Sequence, residues 1–250
     1  MTWVHLLLVG AAGLAAGAIN SIAGSGSLIT FPTLLAVGLP PLQANVSNSI
    51  GLVPGSISGA YGYRSELRGR LGHALRLSIP MGAGAAVGAV LLLRLPPRVF
   101  EVAVPLLVAA ASVLVLAQPA ISRALRAERD HPAALRVSLL VLGVYAGYFG
   151  AAQGIMLLAV MGLFLDESLQ RANAFKTVIA GAAACVAGLI FIVVAPVPWP
   201  YTAVLAASSL VGGRLGAMIA RRVPDRPLRW GIGVFGIVVA ARLALTYHLF

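Results

Sequence analysis

Charged residues are scarce in this chain of 250 residues: Asp, Glu, Lys and Arg make up 10% of it, against about 25% in soluble globular proteins. Cysteine is scarcer still, since Cys185 is the only one. A single cysteine excludes an internal disulfide and a metal cage built from thiolates. Hydrophobic residues make up 60% of the chain, and its mean hydropathy is +0.95. This composition excludes a disordered chain, a coiled coil and nearly every soluble fold, and it predicts an all-α protein embedded in a bilayer.

The positive charge, formally +11, is concentrated in short gaps between apolar runs. All but one of the 18 basic residues are Arg, the exception being Lys176, and most lie at 64–76, 94–98, 123–136 and 221–229. Membrane proteins place Lys and Arg in such gaps, where they meet lipid phosphates. Lipid is therefore an expected partner and nucleic acid is not. The basic residues divide evenly between alternate gaps, so they predict no orientation of the termini.

Eight apolar runs approach the roughly 20 residues that a helix needs to cross the hydrocarbon core. They lie at 3–22, 42–63, 74–93, 99–118, 133–150, 172–195, 199–220 and 228–250. Two further apolar pieces, 27–37 and 154–165, have about half the required length, and each follows a break that contains glycine. The pattern predicts a polytopic protein of about eight spans with two half-helices or re-entrant elements.

An internal repeat divides these spans into two sets of four. A shift of 128 residues aligns Gly26 with Gly154, Asn45 with Asn173 and Gly84 with Gly212. An even number of spans in each copy makes the copies parallel in the membrane. We therefore expect a first repeat at 1–118, a charged linker at 119–132 and a second repeat at 133–250.

The acidic residues and histidines all lie in gaps or near the ends of the predicted spans. A proton or sodium relay built on an intramembrane carboxylate is thus disfavoured, as is a transition-metal site, and no metal or cofactor is expected. The run from Gly24 to Ser27 superficially suggests a nucleophilic serine, but a serine hydrolase needs a general base within hydrogen-bond reach. No span offers such a histidine, so the sequence does not predict an enzyme.

The two breaks predict a cavity inside the bundle. Unwound backbone is tolerated at membrane depth only where protein or water satisfies it, and glycine permits the unwinding. Helices that begin after the breaks would turn free N–H groups and positive dipole ends toward an anion. We expect the donors to come from Gly24, Ser25 and Gly26 in the first copy and from Gln153 and Gly154 in the second. The alternative is that these glycines only permit close helix packing.

Polar residues cluster at the start of the second and sixth spans. The first copy carries Asn45, Asn48 and Ser49, and the second carries Asn173, Lys176 and Thr177. A buried lysine at a helix centre costs about 2.5 to 3.5 kcal/mol on insertion scales, a cost that a bound anion would offset. Two alternatives stay open: the lysine snorkels to the headgroups, and the asparagines only cap or bridge helices.

Three stretches resemble the TauE/SafE sulfite exporter family of membrane transporters. They run from Gly17 to Pro32, from Gly38 to Asn48 and from Gly59 to Leu67, and the second half agrees at 143–150, 169–176 and 212–217. The resemblance covers nearly the whole chain. It implies two four-helix repeats that move a small sulfur-containing anion, such as sulfite or a sulfonate, across the bacterial plasma membrane.

The chain departs from the family pattern at two places. Ser25 and Ser27 interrupt the glycine-rich first loop. Within a turn or two after Lys176 the family often has further Asn or Ser, whereas this chain has Val178, Ile179, Ala180 and Gly181. A more apolar pocket would leave room for an organic anion. The second hypothesis is a membrane subunit or helical scaffold without transport activity, in which the polar residues only join helices. Homo-oligomerisation, direction of transport and coupling ion stay open.

Overall fold

The structure, a computed structural model, describes residues 2–124, 131–165, 167–220 and 225–246. This part of the chain is helical and contains no strand. The twelve helices are α1 (Trp3–Ile22), α2 (Ser27–Ala36), α3 (Pro41–Gly51), α4 (Val53–Gly62), α5 (Arg64–Leu67), α6 (Leu71–Arg94), α7 (Pro97–Ala124), α8 (Pro132–Tyr148), α9 (Gln153–Phe164), α10 (Leu169–Val194), α11 (Trp199–Ile219) and α12 (Asp225–Thr246). Residues 125–130 of the predicted linker lie outside the described residues.

Within the described ranges, five helices are long and apolar enough to cross a membrane, which confirms the all-α polytopic fold. They are α1, α6, α10, α11 and the Pro97–Ala117 part of α7. Helix α8 has 17 residues, and the apolar part of α12 covers Trp230–Leu245. Helix α8 is one residue shorter than the predicted fifth span, and residues 247–250 of the predicted eighth span lie outside the described part of the chain.

The predicted second span, 42–63, is not one helix. It is divided at Leu52 into α3 and α4, which have 11 and 10 residues. Pro54 is the cause, since it lies in the first turn of α4, where it lacks an N–H and where its ring would clash with the carbonyl four residues earlier. The corresponding α10 has no such proline and continues for 26 residues.

The two predicted half-length elements are short helices, α2 with 10 residues and α9 with 12. The helices before them end alike. The N–H of Gly24 donates to Ile19 O over 3.0 Å, and the N–H of Gly150 donates to Tyr145 O over 3.1 Å. Both glycines have a positive φ, +80° and +73°, the usual geometry after a helix terminus. Gly150 is therefore the structural counterpart of Gly24, two residues before the position that the 128-residue shift gives, and the longer α9 absorbs the difference.

Small residues allow the long helices to pack at close range. Helix α1 lies against α11, where a Cβ added at Gly17 would overlap the Ser209 carbonyl. Helix α6 lies against α8, where a Cβ added at Gly84 would overlap the Leu140 carbonyl. Such contacts are typical of helix association in lipid, where dispersion and close backbone approach replace the hydrophobic effect. The arrangement brings the ends of α1 and α8 to the centre of the bundle, beside α3, α4 and α10.

Candidate functional site

The two helix breaks meet at the centre of the bundle. Gly154 N–H, at the start of α9, donates to Gly24 O over 3.2 Å. A Cβ on Gly24 would lie 2.6 Å from Gly154 Cα. The absence of side chains at both positions is therefore what permits the two backbones to touch.

Two small polar cavities lie beside this contact. The first, which we call the Asn48 cavity, has a volume of about 40 Å³. The second, the Lys176 cavity, has a volume of about 30 Å³. A water molecule needs roughly 10 to 15 Å³ of such space, so each cavity holds two or three waters or a group of similar size. Asn20, Ser56 and Gln153 contribute to both walls and separate one cavity from the other.

Lys176 lies inside the protein, in the wall of the second cavity. Its relative exposure is 1%, which contradicts the alternative that it snorkels to the headgroups. Its Nζ donates to Asn173 Oδ1 over 2.9 Å and to Ser21 O over 3.4 Å. Gly24, Gln153, Gly154 and Thr177 share this cavity with the ammonium group. The structure thus brings together a buried cation, two helix breaks and a polar cavity.

Asn48 and Ser49 lie in the wall of the first cavity, together with Gln153. Asn48 is buried, and its Oδ1 accepts a hydrogen bond from the Thr30 hydroxyl of α2. Gln153 Oε1 is a buried atom that makes no hydrogen bond within the described part of the protein. Because a buried acceptor without a partner is costly, this oxygen is suited to a donor brought by water or by a ligand.

Four of the predicted site residues line neither cavity: Ser25, Gly26, Asn45 and Asn173. Asn45 instead bridges two helices, since its Nδ2 donates to Tyr148 O of α8 over 2.9 Å. Asn173 accepts a hydrogen bond from Lys176, which lines the second cavity. Ser25 is fully buried, and its hydroxyl has no hydrogen-bond partner among the described residues. The contact with a general base that a serine hydrolase needs is therefore not seen among them.

The expected free N–H donors at the helix breaks are largely occupied. Gly26 N–H donates to Asn20 Oδ1 over 2.8 Å, and Gly154 N–H donates to Gly24 O. Gln153 N–H donates to Gly150 O over 3.3 Å. The physical reason is that buried N–H groups must find acceptors, and the close approach of the two breaks provides them. In this conformation the side chains, more than the backbone, form the polar walls.

Sequence reasoning missed Asn20 and Ser56, which contribute to both cavities. Asn20 carries a signal that was available: it is a polar residue in an apolar run, one turn before the Gly24 break. Its amide oxygen fixes the loop through Gly26, while the rest of the side chain borders the cavities. Ser56 lies on α4 and gives no comparable signal, because its hydroxyl bonds Leu52 O within the same helix, as helical serines often do.

Amide, hydroxyl and ammonium side chains line the two cavities. The described residues contain no group of three or more His, Cys, Asp or Glu that could hold a metal. Amide, hydroxyl and ammonium groups can all donate hydrogen bonds to an oxyanion.

The sequence matches a family model described as sulfite exporter TauE/SafE over residues 9–243. A protein of Haemophilus influenzae named probable membrane transporter protein is 28% identical over 235 residues, which cover 92% of this chain and 91% of that one. The probable membrane transporter protein YfcA of Escherichia coli K12 is 28% identical over 236 residues, which cover 93% of this chain and 87% of YfcA. The probable membrane transporter protein ORF9 of a Sinorhizobium species is 26% identical over 241 residues, which cover 96% of this chain and 92% of ORF9.

Proposed function

The chain belongs to the sulfite exporter TauE/SafE family, and we propose that it carries a small sulfur-containing anion across the bacterial plasma membrane through the Lys176 cavity. The multi-pass helical fold and the relatives named as membrane transporters support transport as the general activity. The substrate class is our inference from the site.

The observation that carries the proposal is the burial of Lys176 beside a polar cavity at the two helix breaks. An ammonium group inside lipid-embedded protein is expensive and needs a functional or structural reason. Two of its contacts, Asn173 Oδ1 and Ser21 O, are oxygens of neutral groups. These two contacts orient the ammonium group beside the cavity, where it can attract an anion that enters.

The size and polarity of the two cavities favour a compact substrate. Volumes of about 30 and 40 Å³ suit an inorganic oxyanion or the head of a short sulfonate better than a bulky organic acid. The Ser49 hydroxyl and the Gln153 amide N–H groups would donate hydrogen bonds to its oxygens. Sulfite and short-chain sulfonates are therefore the substrates that we place first.

The cavities lie between the two halves of the chain, because α1, α3 and α4 face α9 and α10 there. The pairing of α1 with α11 and of α6 with α8 supports our proposal that the halves are repeats. Movement of one half against the other would open the site alternately to the two sides of the membrane.

The test is flux in liposomes that contain the purified full chain. Efflux of sulfite, sulfate and short sulfonates would be measured for the original protein, for Lys176→Met and for Arg98→Gln. Methionine keeps most of the volume of lysine without its charge, and Arg98 is an exposed cation outside the site. We expect selective flux of sulfite or a sulfonate that Lys176→Met abolishes and Arg98→Gln leaves unchanged.

A scaffold without transport activity is the competing function. It is favoured if the original protein, folded and monodisperse, moves none of the anions in the panel. Equal flux through the original protein and a folded Lys176→Met variant would support transport activity but exclude the proposed anion site.

A further inference from the structure

A second site with different chemistry lies at the outer surface of the bundle, where α4, α5 and the start of α6 meet α10. An open groove of about 480 Å³ is found there, much larger than either central cavity. Its walls comprise Ala60, Tyr61, Arg64, Leu67, Arg68, Gly69, Leu71 and Val178. We propose that this groove binds one anionic phospholipid, with its phosphate at Arg64 and Arg68 and an acyl chain along the apolar wall.

The position of the groove fits a lipid at the edge of the hydrocarbon core. Helix α4 ends at Gly62 and the long helix α6 begins at Leu71, so the intervening turn lies where the chain reverses between two spans. Arg64 and Arg68 are exposed at this turn, and Leu71 and Val178 extend the surface toward the membrane interior. A charged end joined to an apolar slope matches a headgroup joined to its acyl chain.

Tyr61 organises the charged end. The guanidinium carbon of Arg64 lies 4.9 Å from the centre of its ring, and that of Arg214, on α11, lies 4.6 Å from it. Cation–π contacts of this kind hold guanidinium groups in place while their N–H groups stay available to a phosphate. Two arginines on one tyrosine and a third at residue 68 concentrate positive charge at one end of the groove.

The acidic residues nearby do not cancel this charge. Glu167 already lies between Arg70, at 3.7 Å, and Arg171, at 3.4 Å. Glu66 accepts a hydrogen bond from Ser65 over 2.5 Å. Among the described side chains at this turn, Glu66 is the one further carboxylate, and it faces Arg64, Arg68 and Arg214. The balance of these described charges is positive, as an anionic headgroup requires.

Native mass spectrometry of the full chain in detergent, with phosphatidylglycerol or phosphatidylcholine added, tests the proposal. An arginine near a membrane surface attracts an anionic headgroup. The loss of two arginines should therefore weaken the binding of phosphatidylglycerol about 30-fold. We expect one tightly bound phosphatidylglycerol on the original protein, its loss in Arg64→Gln/Arg68→Gln and its retention in Arg94→Gln/Arg98→Gln. This control removes the same number of exposed arginines from the connection between the end of α6 and the first turn of α7.

A second variant tests the apolar wall and remains informative if the double mutant fails to fold. Leu71→Trp fills the groove at an exposed position without altering charge, and it should also displace the lipid. Equal retention of phosphatidylglycerol by Arg64→Gln/Arg68→Gln or by Leu71→Trp would overturn the proposal. Displacement of the lipid by millimolar inorganic phosphate would overturn it too, since it would identify a site for free phosphate. Binding of phosphatidylcholine as tight as that of phosphatidylglycerol would show that the arginines do not select the headgroup.

Discussion

Gly24 and Gly154 touch backbone to backbone at the centre of the bundle, joined by a hydrogen bond of 3.2 Å from Gly154 N to Gly24 O. The contact links the break after α1 to the start of α9, and both glycines line the Lys176 cavity. Any side chain here must separate two elements that together form the proposed anion site.

Three glycine variants separate backbone strain from overlap at this contact. Gly24→Ala combines a positive φ of +80° with the clash against Gly154, whereas Gly154→Ala introduces the overlap alone. Gly38→Ala is the matched control, since Gly38 has a φ of +94° and empty space around its missing Cβ. We expect a loss of about 1 to 2 kcal/mol in unfolding free energy for Gly38→Ala, and about 1 to 3 kcal/mol more for Gly24→Ala.

Thermal unfolding in detergent ranks the three variants by their stability. Gly154→Ala should retain a folded protein with reduced anion flux, because its overlap shifts the wall of the cavity. If Gly24→Ala were no less stable than Gly38→Ala, the close contact would have no energetic importance.

Asn20 joins the loop to both cavities, and two substitutions separate these roles. Asn20→Asp keeps an oxygen for the Gly26 N–H, so the loop should retain its conformation. The added negative charge borders the Lys176 cavity and should weaken anion binding about tenfold through repulsion and partial neutralisation of the lysine. Asn20→Ala loses the loop contact itself and should lower stability by about 1 kcal/mol.

Concentration-dependent flux and thermal unfolding, measured on both variants, give the comparison. We expect Asn20→Asp to raise the half-saturating anion concentration with little change in stability, and Asn20→Ala to reduce stability. Unchanged half-saturation in a folded Asn20→Asp protein would remove Asn20 from the substrate path.

Much of the fold follows from the sequence because lipid leaves few alternatives. Runs of about 20 apolar residues must be helical in a bilayer, and glycine-containing breaks between them predict the short α2 and α9. The division of the second predicted span at Leu52 is an exception. Pro54 was its visible signal, but proline is tolerated in many membrane helices, so its presence alone does not locate a break.

The site was harder to predict because it depends on which helices become neighbours. Lys176 lies only two turns into α10, a position from which a lysine can reach the headgroups or stay inside. Inside the protein it contacts Asn173 and Ser21, and Ser21 lies far away in the sequence. The same reason explains why the expected backbone donors are occupied: Gly154 finds its acceptor in the other half of the chain.

Gln153 separates the Asn48 cavity from the Lys176 cavity, so its removal should join them. Gln153→Ala is expected to admit longer sulfonates and to raise their flux relative to sulfite about tenfold, a change typical of a pocket enlarged by a few atoms. Gln43→Ala is the control, because Gln43 is a half-buried glutamine of α3 that lines neither cavity. Competition flux with sulfite and sulfonates of increasing length gives the ratio. An identical ratio in the two variants would show that Gln153 does not limit substrate size.

Weak or indirect coupling to protons is expected, since the three carboxylates among the described side chains lie near helix ends. Glu66 is in α5, Glu101 is in the first turns of α7, and Glu167 lies two residues before α10. Without an intramembrane carboxylate to take up and release a proton, a pH gradient has no direct means of driving the anion. Liposomes with an anion gradient but equal pH on both sides should show nearly full flux, and a pH gradient alone should produce little accumulation. Strong pH-driven accumulation that persists after His5, His73, His131 and His248 are replaced would contradict this expectation and would require another titrating group on the path.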